Sequence, residues 1–289
     1  VVYGIKSLAI GGSPLHGVLF IAVGALCGLL FARRQVVKNY PMLDLRFFRS
    51  ARFSGGLSVN MVSNVALFGF LFFFTQYLQL VNGMDPMTSG LLMIPGLLLS
   101  ILTGLGAERI ARVVGVRSAV VLGLLLVAAG FFVVAFTDQM QSSAPILVAF
   151  TVMSAGTGLA TTLSTDLVVS SVPESKAGAA SAVSETGYEV GAVLGTAVLG
   201  GLTTAFYQAH LDLPAAVGAD SAQAAHETLG GALDVAAESP LGSAVADAAV
   251  AAFSAGMQWT SVFGGILVAG VALALFRVLR ADRRVRRAV

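Results

Sequence analysis

Two acidic residues, Glu185 and Glu189, lie within an apolar stretch that is long enough to cross a membrane. They are four residues apart, so on a helix they share one face. At about 1.5 Å per residue from the start near Ala177, they lie about 12 and 18 Å deep, on either side of the bilayer midplane. A charge there costs on the order of 2.5–3.5 kcal/mol and normally marks an ion or proton pathway, unless the carboxyl is protonated and bonded to a neighbouring helix.

Other polar residues accompany this pair. Tyr188 lies beside both carboxylates and offers either a face for a lipophilic cation or a ring for packing between helices. Asn60 and Asn64, one turn apart in another apolar stretch, either line a cavity or join helices by hydrogen bonds. Asp166 lies near the inner end of a third stretch, where its carboxylate can reach water. We treat Glu185, Glu189 and Asp166 as candidate proton or cation sites.

The acidic stretch also carries a glycine repeat. Gly187, Gly191 and Gly195 recur every four residues. This spacing permits a neighbouring helix to approach closely, so we interpret the repeat as a packing surface.

Mainly apolar runs divide the chain into segments of membrane length. Hydrophobic residues make up 56% of the sequence and charged residues 11%, with a mean hydropathy of +0.87, which is too apolar for a water-soluble domain of this length. Residues 1–10 read as the outer end of a truncated helix. Seven complete spans follow, at about 14–32, 54–81, 87–107, 117–136, 145–169, 178–206 and 251–276.

Basic residues set the predicted orientation. If the seven runs cross the bilayer in alternation, 16 of the 17 Lys and Arg residues fall on one side and only Lys6 on the other. Because basic residues near membrane helices stay in the cytoplasm, the C-terminus is expected there, in a multi-pass protein of the inner or plasma membrane. The net charge of +2 then reflects contact with membrane lipid rather than with nucleic acid.

The long segment at about 207–250 has no Lys or Arg and is expected outside the membrane. Its Ala-rich composition suits either short surface helices or a mobile hairpin, and the sequence does not choose between them.

Motifs typical of enzymes are missing from the sequence. There is no G-x-S-x-G, no H-E-x-x-H and no cluster of Cys and His, so we expect no enzyme, no metal site and no cofactor. The last span contains no lysine to form a retinal Schiff base.

Four segments, residues 41–53, 83–96, 111–123 and above all 172–195, together resemble the C-terminal half of a major facilitator superfamily transporter, of the fourteen-helix EmrB/QacA drug:proton antiporter type. The resemblance covers the whole chain. It implies an all-α transmembrane fold with a truncated helix and external loop at 1–13, a linking helix and cytoplasmic loop at 14–52, a six-helix bundle at 53–276 and a basic tail at 277–289.

Two departures from the family pattern affect the expected site. In the cytoplasmic Gly-X-X-X-Asp-Arg-X-Gly motif, Gly104 and Arg109 match, but Glu108 replaces the Asp and Ala111 the final Gly, so charge pairing can survive while the geometry changes. The span at 87–107 has no carboxylate where related exporters can have one. It offers only Ser100, which we include with Tyr188, Asn60 and Asn64 in the candidate substrate cavity.

The resemblance implies proton-coupled multidrug efflux by alternating access. The expected partners are lipophilic, cationic small molecules, protons, membrane lipid and an N-terminal helical bundle that this chain lacks. One alternative is an exporter of a natural product or a siderophore-like metabolite. Another is a seven-helix sensor or scaffold that transports nothing.

Overall fold

The computed structural model describes residues 14–37, 45–137, 142–214 and 217–287, which form an all-helical protein. Two 3-10 turns, Leu45–Arg49 and Glu174–Lys176, precede long helices, and a π-helical turn, Tyr77–Val81, continues another. The α-helices, in chain order, are α1 Pro14–Val37, α2 Ala51–Gln76, α3 Pro86–Val114, α4 Val116–Phe136, α5 Ala144–Val169, α6 Ala177–His210, α7 Ala219–Glu227, α8 Leu229–Glu238 and α9 Gly242–Arg287.

Six helical segments in these residues are long and apolar enough to cross a membrane, and they match six of the seven predicted spans. They are Ala51–Val81, Pro86–Val114, Val116–Phe136, Ala144–Val169, Glu174–His210 and Gly242–Arg277. The first predicted span, 14–32, does form a helix, but its apolar part, Leu15–Phe31, is at the lower limit of membrane length. The predicted truncated helix and loop at 1–13 lie outside the described residues.

Local sequence explains where several helices begin. The Ser50 hydroxyl accepts a hydrogen bond from the Phe53 amide at the start of α2. Asp85 caps α3, with Pro86 at its first position, and accepts bonds from the Thr88 hydroxyl and the Met87 and Thr88 amides. The hydroxyl bond and then the amide bonds lower the pKa of the Asp85 carboxyl below its usual value.

Helices α2 and α5 lie at the centre of the six-helix bundle. Helix α6 packs on α2, α3 and α4 pack on α5, and α9 packs on α4 and α6. Buried aromatic rings join these helices: Phe74 of α2 stacks on Phe150 of α5 with centroids 4.9 Å apart, and Phe70 of α2 meets Phe131 of α4 edge-on at 5.8 Å. Within a membrane such contacts stabilise the bundle by close packing, because lipid tails are as apolar as the side chains.

The segment at 207–250 is mostly helical. Of the two structures that its composition left open, short helices and a mobile hairpin, it therefore forms the helices. Helix α6 continues to His210, α7 and α8 form a short pair, and α9 already begins at Gly242. The Tyr207 hydroxyl donates to the Ala225 carbonyl over 2.7 Å and so fixes α7 to the end of α6. The Thr228 hydroxyl caps α8 by accepting from the Gly231 amide.

Candidate functional site

Helix α6 presents both predicted carboxylates on one exposed face. Glu185, Thr186 and Glu189 are exposed, as are Val190 and Val193 further along the helix. Within the ranges that the structure describes, neither carboxylate has a hydrogen-bond or ion-pair partner. The two groups are therefore available to bind a proton or a cation that approaches this face.

The glycine repeat occupies the other side of α6 and packs directly on α2. A methyl group added at Gly191 would lie 2.5 Å from the Met61 carbonyl oxygen, and one at Gly187 would lie 2.6 Å from Leu57 Cδ1. Gly195 faces the Val65 carbonyl in the same way. The predicted packing surface is confirmed, because at Gly191 and Gly195 only glycine leaves room for the α2 backbone.

Asn60 and Asn64 lie inside this α2–α6 contact. They are 3% and 0% exposed, respectively. The Asn60 amide donates to Ser184 Oγ over 2.9 Å, and the Asn64 amide donates to the Asn60 carbonyl over 2.8 Å and to Asn60 Oδ1 over 3.1 Å. Of the two roles that the sequence left open, Asn60 has that of a bond between helices, whereas both bonds of the Asn64 amide stay within α2.

Ser184 is the member of this network that the sequence analysis missed. It is 3% exposed, and its hydroxyl joins α6 to α2 one residue before the first carboxylate. The helical period could have predicted its position: Ser184 lies three residues before Gly187 and therefore faces α2 together with the glycines.

Tyr188 lies at the border between the packed and the exposed sides of α6. Its ring is partly buried and meets Phe68 of α2 edge-on, with centroids 6.2 Å apart and planes at 83°. Both roles considered for this tyrosine remain compatible with the contact, because an edge-on ring still has a face to offer.

The other two candidates lie on other helices. Asp166 is exposed in the last turn of α5. Ser100 of α3 is partly buried, and its backbone carbonyl faces Gly158 where α3 and α5 approach closely. The structure thus separates the candidates: the carboxylates lie on the exposed face of α6, the asparagines are buried in the α2–α6 contact, and Asp166 and Ser100 lie on α5 and α3.

The altered motif at 104–111 has a charge pair at Glu108, with its partner one residue beyond the motif. Glu108 Oε1 lies 2.9 Å from Arg112 Nη2, one helical turn away, and both side chains are exposed. The expected charge pairing at Glu108 is therefore present in this turn.

The described residues contain no group of three or more His, Cys, Asp or Glu side chains that could hold a metal ion. The arrangement on α6 instead suits reversible binding. One side of the helix is fixed to α2 by glycines and a buried hydrogen-bond network, and the other presents two carboxylates.

Comparison with known proteins gives consistent results. The model of the Major Facilitator Superfamily matches residues 7–196. The multidrug efflux pump LfrA of Mycolicibacterium smegmatis is 40% identical over 274 residues, which cover 94% of this chain and 54% of that protein. The methyl viologen resistance protein SmvA of Salmonella typhimurium is 32% identical over 98% of this chain and 58% of its own length.

A third relative is the tetracenomycin C resistance and export protein of Streptomyces glaucescens. It is 32% identical over 202 residues, which cover 68% of this chain and 36% of that protein. The chain thus spans between about a third and three fifths of the length of these curated relatives.

Proposed function

The chain belongs to the major facilitator superfamily, and on that basis we propose that it is the C-terminal half of a fourteen-helix drug:proton antiporter. The full-length polypeptide would export lipophilic, cationic compounds across the plasma membrane by alternating access. The names of the relatives LfrA and SmvA support drug efflux as the activity. Family membership also favours transport over the sensor or scaffold alternative.

The position of the two carboxylates is the observation that carries this proposal. Glu185 and Glu189 are exposed on α6, at about 12 and 18 Å along a helix of membrane length. They cannot face lipid without a cost on the order of 2.5–3.5 kcal/mol each. A second bundle that encloses an aqueous cavity over this face would remove that cost.

The proposed architecture follows the resemblance. Helix α1 would be one of two linking helices, the bundle at 53–276 would form one wall of the cavity, and the absent N-terminal bundle would form the other. The C-terminus would lie in the cytoplasm, as the distribution of basic residues indicates.

In this mechanism a proton and a substrate cation compete for the same carboxylates. A cation bound from the cytoplasm neutralises Glu189 until the cavity opens outward, where a proton displaces it. Return of the protonated site completes the cycle, so export of the cation is coupled to entry of the proton. Glu185 would assist, and Asp166 and Ser100 would affect the range of substrates.

The decisive variant is Glu189→Gln in the full-length polypeptide that contains this chain. Glutamine keeps the shape and hydrogen-bonding capacity of the side chain but removes its charge. In proteoliposomes, substrate-induced proton release and cation export should both fall to background, whereas Glu185→Gln should impair some substrates and spare others. Normal export by Glu189→Gln under an imposed proton gradient would show that coupling takes place elsewhere, at Glu185, Asp166 or the N-terminal bundle.

A second candidate is the export of a natural product. Its support is the similarity to the tetracenomycin C resistance and export protein. An uncharged natural product would not need the charge of the α6 carboxylates for binding. Retained binding of such a compound by the Glu185→Gln, Glu189→Gln double variant, together with lost binding of cations, would favour this candidate.

A further inference from the structure

An apolar cavity of about 440 Å³ lies beside the carboxylate face of α6. Its volume is within the range of small-molecule sites, about 300–1,000 Å³. Four elements contribute to its wall, namely α1, the first 3-10 turn, α2 and α6. The side chains that matter below are Phe31, Phe48, Leu57, Met61, Thr186 and Val190.

The lining gives this cavity little capacity for hydrogen bonding. The lining includes the hydroxyl group of Thr186, which already donates a hydrogen bond to the Ala182 carbonyl over 2.8 Å. The remaining side chains are aliphatic or aromatic. Such a wall suits an alkyl or aromatic group and gives no partner to a polar one.

Charge is placed unevenly around the cavity. Glu185 and Glu189 each directly precede a lining residue, Thr186 and Val190, so their Cα atoms are about 3.8 Å from those of the wall. The side chains of the described lining itself carry no charge. A ligand that is apolar at one end and cationic at the other matches an apolar wall with two carboxylates beside it.

We propose that this cavity binds the apolar part of an amphiphilic organic cation while its charged group meets Glu185 or Glu189. The inference rests on the proposed function and adds a specific site for the apolar part of the substrate, with the linking helix α1 as one wall. In the proposed orientation, the cavity lies in the cytoplasmic half of the membrane, where such compounds dissolve with their apolar part among the lipid tails. The anionic phosphate of a phospholipid would meet the carboxylates unfavourably, so the charge pattern favours an organic cation as the occupant.

Helix α6 offers a matched pair of variants. Val190 lines the cavity, and Val193 does not, although the two valines are 43% and 44% exposed on the same helix. Val190→Trp should place an indole ring in the cavity and narrow it, and Val193→Trp adds the same bulk outside it. Phe31→Ala on α1 provides a second test that leaves the six-helix bundle untouched.

The experiment measures binding of alkyltrimethylammonium ions, from tetramethyl to dodecyltrimethyl, to the full-length polypeptide in nanodiscs, corrected for uptake by protein-free nanodiscs. In the wild type, affinity should rise up to about fourfold per methylene until the cavity is full. Val190→Trp should end this rise at a shorter chain and weaken dodecyltrimethylammonium at least tenfold, while tetramethylammonium binds as before. Val193→Trp should behave as the wild type, and Phe31→Ala should reduce the affinity for long chains at least threefold.

An equal dependence on chain length in the wild type, Val190→Trp and Phe31→Ala would overturn the inference. If Glu189→Gln still abolished binding of the whole series in that case, the proposed function would stand and only the cavity would be excluded. If the wild type bound none of these ions, cation export and the cavity site would both be wrong.

Discussion

At the scale of single residues, substitutions at Tyr188 can tell whether its ring binds a substrate cation or only packs against Phe68. Its ring meets Phe68 edge-on, and in the sequence Tyr188 lies between the two carboxylates, Glu185 and Glu189. A cation over an aromatic face gains about 0.5–2 kcal/mol, which corresponds to about a twofold to thirtyfold change in affinity. Phenylalanine keeps both the face and the contact with Phe68, whereas leucine removes the face.

We therefore expect Tyr188→Leu to weaken export of cations severalfold more than Tyr188→Phe in the full-length polypeptide. Transport assays that pair a cationic with an uncharged substrate of similar size test this expectation. Equal loss in both variants would assign the role to the hydroxyl group. Equal loss of both substrates in Tyr188→Leu alone would assign the ring to packing against Phe68.

The predictions for the acidic pair and for the asparagines rest on different information. Depth in an apolar stretch already indicates that Glu185 and Glu189 face something other than lipid, because the cost of a buried charge depends only on position in the membrane. The role of Asn60 depends on which side chain lies opposite, and that partner, Ser184, is 124 residues away in the chain. Only the three-dimensional packing of α2 on α6 brings the two together.

At the scale of elements, α6 combines two surfaces with different requirements. Residues 184, 187, 191 and 195 follow the helical period and are buried against α2, while residues 185, 186, 189 and 190 are exposed. Apolar length and charge placed most helices within a few residues, since a membrane fixes the minimum length of a span. Helix ends were less predictable: α3 continues to Val114 and α9 to Arg287, beyond the apolar runs that define the spans.

The glycine surface of α6 leads to a prediction about stability. Gly191→Ala would place a methyl group 2.5 Å from the Met61 carbonyl oxygen and force α2 and α6 apart. We expect a loss of about 1–3 kcal/mol, the usual cost of overpacking. The control is Gly270→Ala in the interior of α9, where an added methyl group meets nothing within 4 Å.

Gly270→Ala should be neutral or should stabilise the protein by up to about 1 kcal/mol, because alanine is the better helix former. Reversible unfolding of both variants in mixed micelles compares the two free energies. Equal stabilities would mean that α2 and α6 do not approach as closely as the structure shows.

At the scale of the whole molecule, the bundle has an exposed side that its sequence alone did not locate. Apolar side chains of α3, such as Leu98, Ile101 and Leu105, are more than half exposed, as are most of those on α1. The sequence predicted apolar helices but not which faces lack a neighbour, because that depends on how the helices are arranged. The cavity beneath α1 was unpredictable for the same reason, since its wall combines residues from four elements.

The orientation of the chain across the membrane remains a prediction from charge, and two exposed serines test it. Ser221 lies in α7, within the segment that lacks Lys and Arg, and Ser175 lies in the 3-10 turn beside Lys176. If basic residues are retained in the cytoplasm, Ser221 faces outside and Ser175 inside. Each is replaced by cysteine in a Cys27→Ala background, which removes the single natural cysteine of the sequence.

An impermeant thiol reagent added to intact cells should label Ser221→Cys and spare Ser175→Cys, and both should react once the membrane is opened. The two variants are matched, since each replaces an exposed serine in a short helical element. Labelling of Ser175→Cys alone in intact cells would reverse the orientation. It would also place the inner ends of α2 and α6 outside, where a carboxylate site on α6 could not first meet a cytoplasmic substrate as the proposed export cycle requires.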